Sequence, residues 1–388
     1  MGIPVCAGYD YHRRGRAVED TEMADEPDEA ELERLGLYDS SAPDADDRLR
    51  LLRRLFELGA NIEEVQAAGV AGLGSLSLDL SIRPSGPTYE LDDFAESSGV
   101  DPELVRRFWL ALGLPTSGSI PLKVTPDAAD ALRLLIAISG LVTDDAALAV
   151  TRVVGSSAAR IAEALAGALR LGVEVPSLEA GSAYSQVVDQ YSTAGRDLLP
   201  SFLEAVNAVF RRHLVLVSYQ LWSTDEERAG VTLQRTVGFA DVVGSTEVVR
   251  AGSVATMARM VRQFEEQVWD LVTRAGGRVV KLIGDEAMFV VEDPQAACQV
   301  ALELIDRSVY PVRVGLAHGP VVGLFGDYYG EVVNLAARLV GVAQPSGALV
   351  SDSVRRATGD AFRFELQPSQ PLKGFTEPVH MYRLQLSH

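Results

Sequence analysis

The apolar periodicity of the chain changes once, near residue 230, and that change limits its architecture more than any other feature. From about Asp46 to Trp222 apolar residues recur at helical spacing, as in Leu49, Leu52, Leu55 and Phe56, then Leu104, Val105, Phe108 and Trp109, then Ile161, Leu165 and Leu169. Gly59, Gly99, Gly113-Leu114-Pro115, Gly140, Gly172 and Pro176 cut this half into several helices. A polar stretch, residues 223–231, reads as a linker. From Leu233 onward β-branched runs alternate with amphipathic segments: a strand to Val243, a helix over Val254–Arg274, strands over Arg278–Ile283 and Ala287–Val291, a helix over Gln295–Arg307 and a strand over Pro311–Ala317. The expectation is an α+β chain, with an all-α domain over 46–222 and a sheet domain over 232–388. In the sheet domain a βαββαβ order implies helices packed on one face of a largely antiparallel sheet.

Composition narrows the partners. Residues 1–45 hold an acidic run from Glu19 to Glu29 with few large apolar groups, which predicts a disordered or loosely packed tail. A net charge of −19 repels nucleic acid and anionic membrane, so no nucleic acid is expected as a partner, and any anionic substrate has to meet a local basic cluster. No apolar run approaches the ~20 residues of a membrane-spanning helix. No basic stretch followed by an apolar one opens the chain, and a cytoplasmic protein is the expectation. Cys6 and Cys298, far apart and without a paired spacing, imply neither a disulfide framework nor a zinc site.

Asp241 and Asp285 each end a short apolar run. Two carboxylates delivered by the ends of neighbouring strands can hold a pair of hard divalent cations, and paired cations drive in-line attack on phosphorus. Phosphoryl or nucleotidyl transfer is the chemistry this suggests. Either aspartate alone would read as a turn residue or cap. His318, in Leu316-Ala317-His318-Gly319-Pro320, has the context of a hydrogen-bonded structural histidine and is given no catalytic role.

Five segments in order, Phe239-Ala240-Asp241-Val242-Val243-Gly244-Ser245-Thr246, Lys281-Leu282-Ile283-Gly284-Asp285, Val312-Arg313-Val314-Gly315, Asp327 through Arg338, and Leu372-Lys373-Gly374, resemble the catalytic domain of a class III adenylyl cyclase. The resemblance covers about Thr232 to Leu384. It implies a ferredoxin-like βαββαβ catalytic domain that converts ATP to 3′,5′-cyclic AMP and pyrophosphate with two ions, Mg²⁺ or Mn²⁺, per active site. By the same resemblance Asp241, Asp285 and the carbonyl of Val242 hold the metals, and Lys281 and Asp327 read the base. Arg313 and Lys373 hold the β- and γ-phosphates. Asn334 orients the ribose, and Arg338 stabilises charge growing on the α-phosphate. The physics of the base agrees: an ammonium can donate to adenine N1 and a carboxylate can accept from the N6 amine, whereas guanine presents the reverse pattern. Because one chain holds both halves of a site that the family builds between two domains, the resemblance also implies a homodimer. Ser245 and Glu286 depart from the residues common at their positions in the family, and neither change removes a ligand.

The helical half resembles, more loosely, the autoinhibitory domain attached to some mycobacterial adenylyl cyclases, which implies a regulatory role. A proton, through His213 beside Arg211 and Arg212, and a small apolar or lipid ligand are both compatible effectors. Two other functions are open from the residues. Residues 89–114 read like a helix-turn-helix with Arg106 and Arg107 on its second helix, which would make the chain a DNA-binding regulator with a nucleotide-sensing domain. Acidic residues crowd both of its helices and favour a packed structural pair. A catalytically silent domain that binds ATP as a signal is the other, and the retention of every matching position argues against it.

Overall fold

Asn61 accepts from the Glu64 N–H while Glu64 returns a bond to the Asn61 N–H, so the sequence Asn-Ile-Glu-Glu closes a capping box at the start of a helix. The computed structural model describes residues 27–116, 123–221, 232–244 and 254–385. The chain divides into two units, residues 1–221 and 222–388. In the first unit the described elements are helices α1 (Glu29–Arg34), α2 (Ala45–Glu57), α3 (Ile62–Ile82), α4 (Leu91–Ser97), α5 (Pro102–Ala111), α6 (Pro126–Ile138), α7 (Asp144–Leu169), α8 (Val175–Glu179) and α9 (Tyr184–Leu221), with a π-turn at Arg170–Glu174 joining α7 to α8.

Residues 29–45 correct the expectation of a tail running to position 45. Asp28 caps α1 by accepting from the Glu31 N–H at 2.8 Å, and Leu32 and Leu37 are buried with Leu51, Leu52 and Leu55 of α2 and Val188 of α9. The segment has few apolar residues, but those few reach the core, and composition averages conceal that. Residues 1–26, including Cys6 and most of the acidic run, lie outside the described part, as does the linker over 223–231.

The stretch that reads like a helix-turn-helix is a packed helix pair. Phe94 and Ala95 of α4 and Val105, Phe108 and Trp109 of α5 are buried together with Leu132 and Leu148. Arg106 is engaged by Asp92 at 2.9 Å and by Glu103 at 3.7 Å, so its guanidinium faces carboxylates of its own helix pair. No helix among the described residues is long and apolar enough to cross a membrane.

The second unit is built on one mixed sheet of eight strands. Its elements are β1 (Thr232–Val242), α10 (Val254–Arg274), β2 (Arg278–Ile283), β3 (Glu286–Val291), α11 (Pro294–Arg307), β4 (Val312–Leu324), β5 (Asp327–Tyr329), α12 (Glu331–Val342), β6 (Gly347–Ser351), α13 (Asp352–Thr358), β7 (Arg363–Leu366) and β8 (Met381–Gln385). Strand order is β2-β3-β1-β4-β6-β8-β7, with β5 folded back on β4. Every pairing is antiparallel except β4 with β6.

Side chains alternate along the central strands. Ala240, Val242, Ala287, Phe289, Val291, Val312, Val314 and Leu316 face one core with Met260, Phe264 and Val268 of α10 and Ala301 and Leu304 of α11. Val237, Phe239, Met288, Val290, Ala317 and Val321 face the other core with Val332, Ala336 and Val340 of α12. The two helices of the βαββαβ order therefore share a face, as expected, while the next helix crosses to the opposite one. Cys298 is fully buried in the first core, where burial and the nearby Asp293 charge push its thiol up to about 12.

Strand β4 runs seven residues past the expected end at Ala317. Gly319-Pro320 reads as a break, but β6 pairs with β4 only as far as Leu316. Beyond that point one edge of β4 has no β6 neighbour, and a proline is tolerated on an open edge. Helix α12 lies almost in backbone contact with β4 at Gly315. A Cβ there would sit 2.3 Å from the Val340 nitrogen and 2.5 Å from the Ala336 carbonyl oxygen. Gly315→Ala is therefore expected to lift α12 and destabilise the unit by roughly 1–3 kcal/mol. Thermal unfolding measures this as a fall of several degrees in the midpoint.

Candidate active site

Strands β3, β1 and β4 end in register with Glu286, Asp241 and Arg313 in one row. All three are on the α12 side of the sheet by the alternation that puts Phe239, Met288 and Ala317 there. Arg313 donates through Nε at 2.7 Å and approaches through Nη2 at 2.5 Å, both to Oδ2 of Asp241, whose side chain is only 14% exposed. Burial pushes the Asp241 carboxyl above its ordinary range, and the charge of Asp285 adds to the rise while the Arg313 guanidinium offsets part of it. Glu286 is likewise raised, first by burial and then by Asp241 and Asp285.

Asp285 reaches this row from the tip of the β2–β3 hairpin. Ile283 pairs with Glu286, leaving Gly284 and Asp285 as a two-residue turn with glycine first at φ 64, the order a type II′ hairpin favours. The Asp285 carbonyl accepts from the Val242 N–H at 3.1 Å, which ties the hairpin tip to the end of β1. The two aspartates thus converge at one end of the sheet.

A second group forms where β5 meets β2. Lys281 Nζ donates to Asp327 Oδ2 at 2.6 Å, and Asp327 Oδ1 accepts from the Tyr328 N–H at 2.8 Å. A third group lies on α12. Asn334 and Arg338, one helical turn apart, are both exposed, on the face opposite the buried Val332, Ala336, Leu339 and Val340. Arg338 Nε donates to the carbonyl of Lys373 at 3.2 Å, and Leu372 fastens that loop by packing with Leu339, Leu349 and Met381. Lys373 itself is exposed.

His318 is held as a structural histidine would be: Nδ1 lies 3.0 Å from Thr236 Oγ1, and its carbonyl accepts from Ser353 Oγ at 2.7 Å. Burial lowers its basicity. Ser245 lies outside the described residues. The pairing of Arg313 with Asp241 was not legible from the motifs, since the resemblance sends the two residues to different parts of the nucleotide.

Residues 231–386 match the family described as "Adenylate and Guanylate cyclase catalytic domain". The chain is 33% identical over 346 residues to an uncharacterized protein of Mycobacterium tuberculosis, covering 87% of this chain and 90% of that one. It is 34% identical over 263 residues to an adenylate cyclase of Streptomyces coelicolor, covering 66% of this chain and 68% of the other. A pH-sensitive adenylate cyclase of Mycobacterium tuberculosis is 28% identical over 389 residues, with 94% of each chain covered. The chain belongs to the class III adenylyl cyclases, and it is an enzyme of that family.

Enzymes of this family depend on divalent metal, and the donor set fits one. Asp241, Asp285 and the Val242 carbonyl offer only oxygen, the ligand type that Mg²⁺ and Mn²⁺ take. Among the described residues no group of three or more His, Cys, Asp or Glu side chains gathers as a metal cage.

Proposed function

We propose that the chain converts ATP to 3′,5′-cyclic AMP and pyrophosphate at sites shared between two copies, with the helical unit setting the activity. The observation that carries the choice of substrate is the Lys281–Asp327 pair at 2.6 Å, one donor and one acceptor side by side. Lys281 donates to adenine N1 and Asp327 accepts from the N6 amine, a pattern that guanine inverts. In the reaction the ribose 3′-hydroxyl gives up its proton to water and its oxygen bonds to the α-phosphorus, the bond from that phosphorus to the bridging oxygen breaks, and pyrophosphate leaves with the electron pair. Asp241, Asp285 and the Val242 carbonyl would hold two Mg²⁺ or Mn²⁺ ions, which would supply Lewis acidity to the attacking hydroxyl and the triphosphate. Arg313 and Lys373 hold the β- and γ-phosphates. Arg313 is the counter-ion of Asp241 in the free chain, so this role requires that pair to part. Asn334 orients the ribose, and Arg338 donates where charge develops on the α-phosphate.

Lys281→Ala tests the substrate assignment. A site built to hydrogen-bond one base rejects another because its polar groups are left unpaired. Removing the lysine is expected to lower kcat/KM for ATP by about 10²-fold and to leave the low activity on GTP within a few-fold, so the preference collapses. Equal preference for ATP before and after the change would refute the assignment.

The sharing of sites between two copies is supported by the exposed face of α12, where Asn334 and Arg338 point away from the sheet of their own chain. Regulation by the helical unit is supported by α9, a helix of 38 residues that ends at Leu221, eleven positions before the start of β1 at Thr232. His213 is exposed on α9. The similarity to a pH-sensitive cyclase makes a proton the first effector to test, and a small apolar or lipid ligand the second. Deleting residues 1–212 is expected to change activity severalfold and to flatten its response to pH or ligand. The same activity in both proteins under every condition would remove the regulatory role.

A further inference from the structure

Arg278 lies three residues before Lys281 on β2, and in a regular strand that spacing would put the two side chains on opposite faces. The β2–β3 register shifts between Val279 and Lys281. Arg278 therefore stands opposite Val290 and Lys281 opposite Met288, and both of those residues belong to the core on the α12 side. One extra residue in the strand has turned both basic groups to the same face, the usual effect of a β-bulge.

On that face they grip the same object. Strand β5 returns along β4 through a two-residue turn, Leu324 pairing with Asp327, and the turn residues Phe325 and Gly326 have φ 49 and 83. Positive φ at both positions is the type I′ geometry, which glycine adopts readily and a phenylalanine does not. Phe325 is 48% exposed, so burial does not hold it there. Arg278 does hold the turn: Nη2 donates to the Gly326 carbonyl, and the guanidinium lies 5.6 Å from the centre of the Tyr328 ring. Lys281 takes the carboxylate between these two contacts, at Asp327.

We propose that Arg278 is a positioning residue for base recognition, pinning the β4–β5 turn to β2 so that Asp327 keeps its place when a nucleotide base comes between it and Lys281. The inference rests on the reading of Lys281 and Asp327 given above. In the free chain the two residues satisfy one another. A bound adenine takes a hydrogen bond from each, and their direct grip weakens. The contacts of Arg278 are to a backbone carbonyl and a ring face, which the base has no part in, so they persist with substrate in place.

The test compares full-length Arg278→Ala, Arg278→Lys and Lys281→Ala with the unaltered chain, measuring kcat/KM for ATP and for GTP with Mn²⁺ together with thermal midpoints. Misplacing an acceptor by a fraction of an ångström is expected to lower the ATP-over-GTP ratio of Arg278→Ala by roughly tenfold, mostly through KM for ATP. Its thermal midpoint is expected to stay within a degree or two, because Arg278 is exposed. Arg278→Lys, which can still donate to the Gly326 carbonyl, is expected to recover most of the ratio. Equal losses on ATP and GTP in Arg278→Ala, or an unchanged ratio while Lys281→Ala collapses it, would overturn the proposal and leave the base assignment standing. An unchanged ratio in Lys281→Ala as well would overturn the base assignment, and the role of Arg278 with it.

Discussion

Arg338→Ala is expected to lower kcat by roughly 10²–10³ while KM for ATP stays within a few-fold. A donor aimed at charge that exists only in the transition state contributes to the rate and little to ground-state binding. The guanidinium is exposed on α12, and its Nε is fixed by the Lys373 carbonyl at 3.2 Å. That bond orients the remaining donors without occupying them. Removing an exposed side chain changes folding stability by less than about 0.5 kcal/mol, so the loss is chemical and the thermal midpoint serves as its control. Initial rates across ATP concentrations separate the two parameters. A rise in KM with unchanged kcat would show that Arg338 binds substrate uniformly and has no special part in the reaction.

The second large effect is a recovery. Asp241→Ala and Arg338→Ala are each expected to be nearly inactive alone, yet mixed in equal amounts and allowed to exchange they regain about one quarter of the unaltered activity. The figure follows from symmetry: half the dimers are mixed, and each mixed dimer has one intact site of its two. Asp241 lies at the sheet end, paired with Arg313, whereas Arg338 projects from the outer face of α12. Two copies related by a two-fold axis can bring the aspartate of one to the arginine of the other. Native mass spectrometry with one variant isotopically labelled confirms exchange, because only the mixed dimer has the intermediate mass. Confirmed exchange with no recovered activity would rule out sites shared in this way.

The layout of the catalytic unit was open to a reading of the residues, because alternation and helical periodicity are local properties. The helix over Val254–Arg274 and the strand over Arg278–Ile283 have the bounds their patterns predict. Glycine and acid between the second and third strands read as a hairpin tip over Gly284-Asp285-Glu286, and the pairing of Ile283 with Glu286 confines the turn to the first two. What escaped depends on neighbours distant in sequence. Pro320 looks like a stop until the open edge of β4 is known, and Leu32 looks like part of an acidic tail until α2 and α9 supply partners for it. Arg278 was hidden by its odd spacing from Lys281, which only the shifted register converts into a common face. In the site, the motifs selected side chains by chemical type. They carried no sign that Arg313 rests on Asp241, because a contact between two strands has no signature in either strand alone.

The near contact of α12 with β4 at Gly315 sets how this catalytic unit can deform. A helix normally rides on a layer of side chains that can rearrange beneath it, and here that layer is missing at the point of closest approach. Asn334 and Arg338 therefore share the stiffness of the sheet. A shift of these two residues toward or away from a partner copy is therefore expected to carry the whole catalytic unit, with the helix moving as part of the frame.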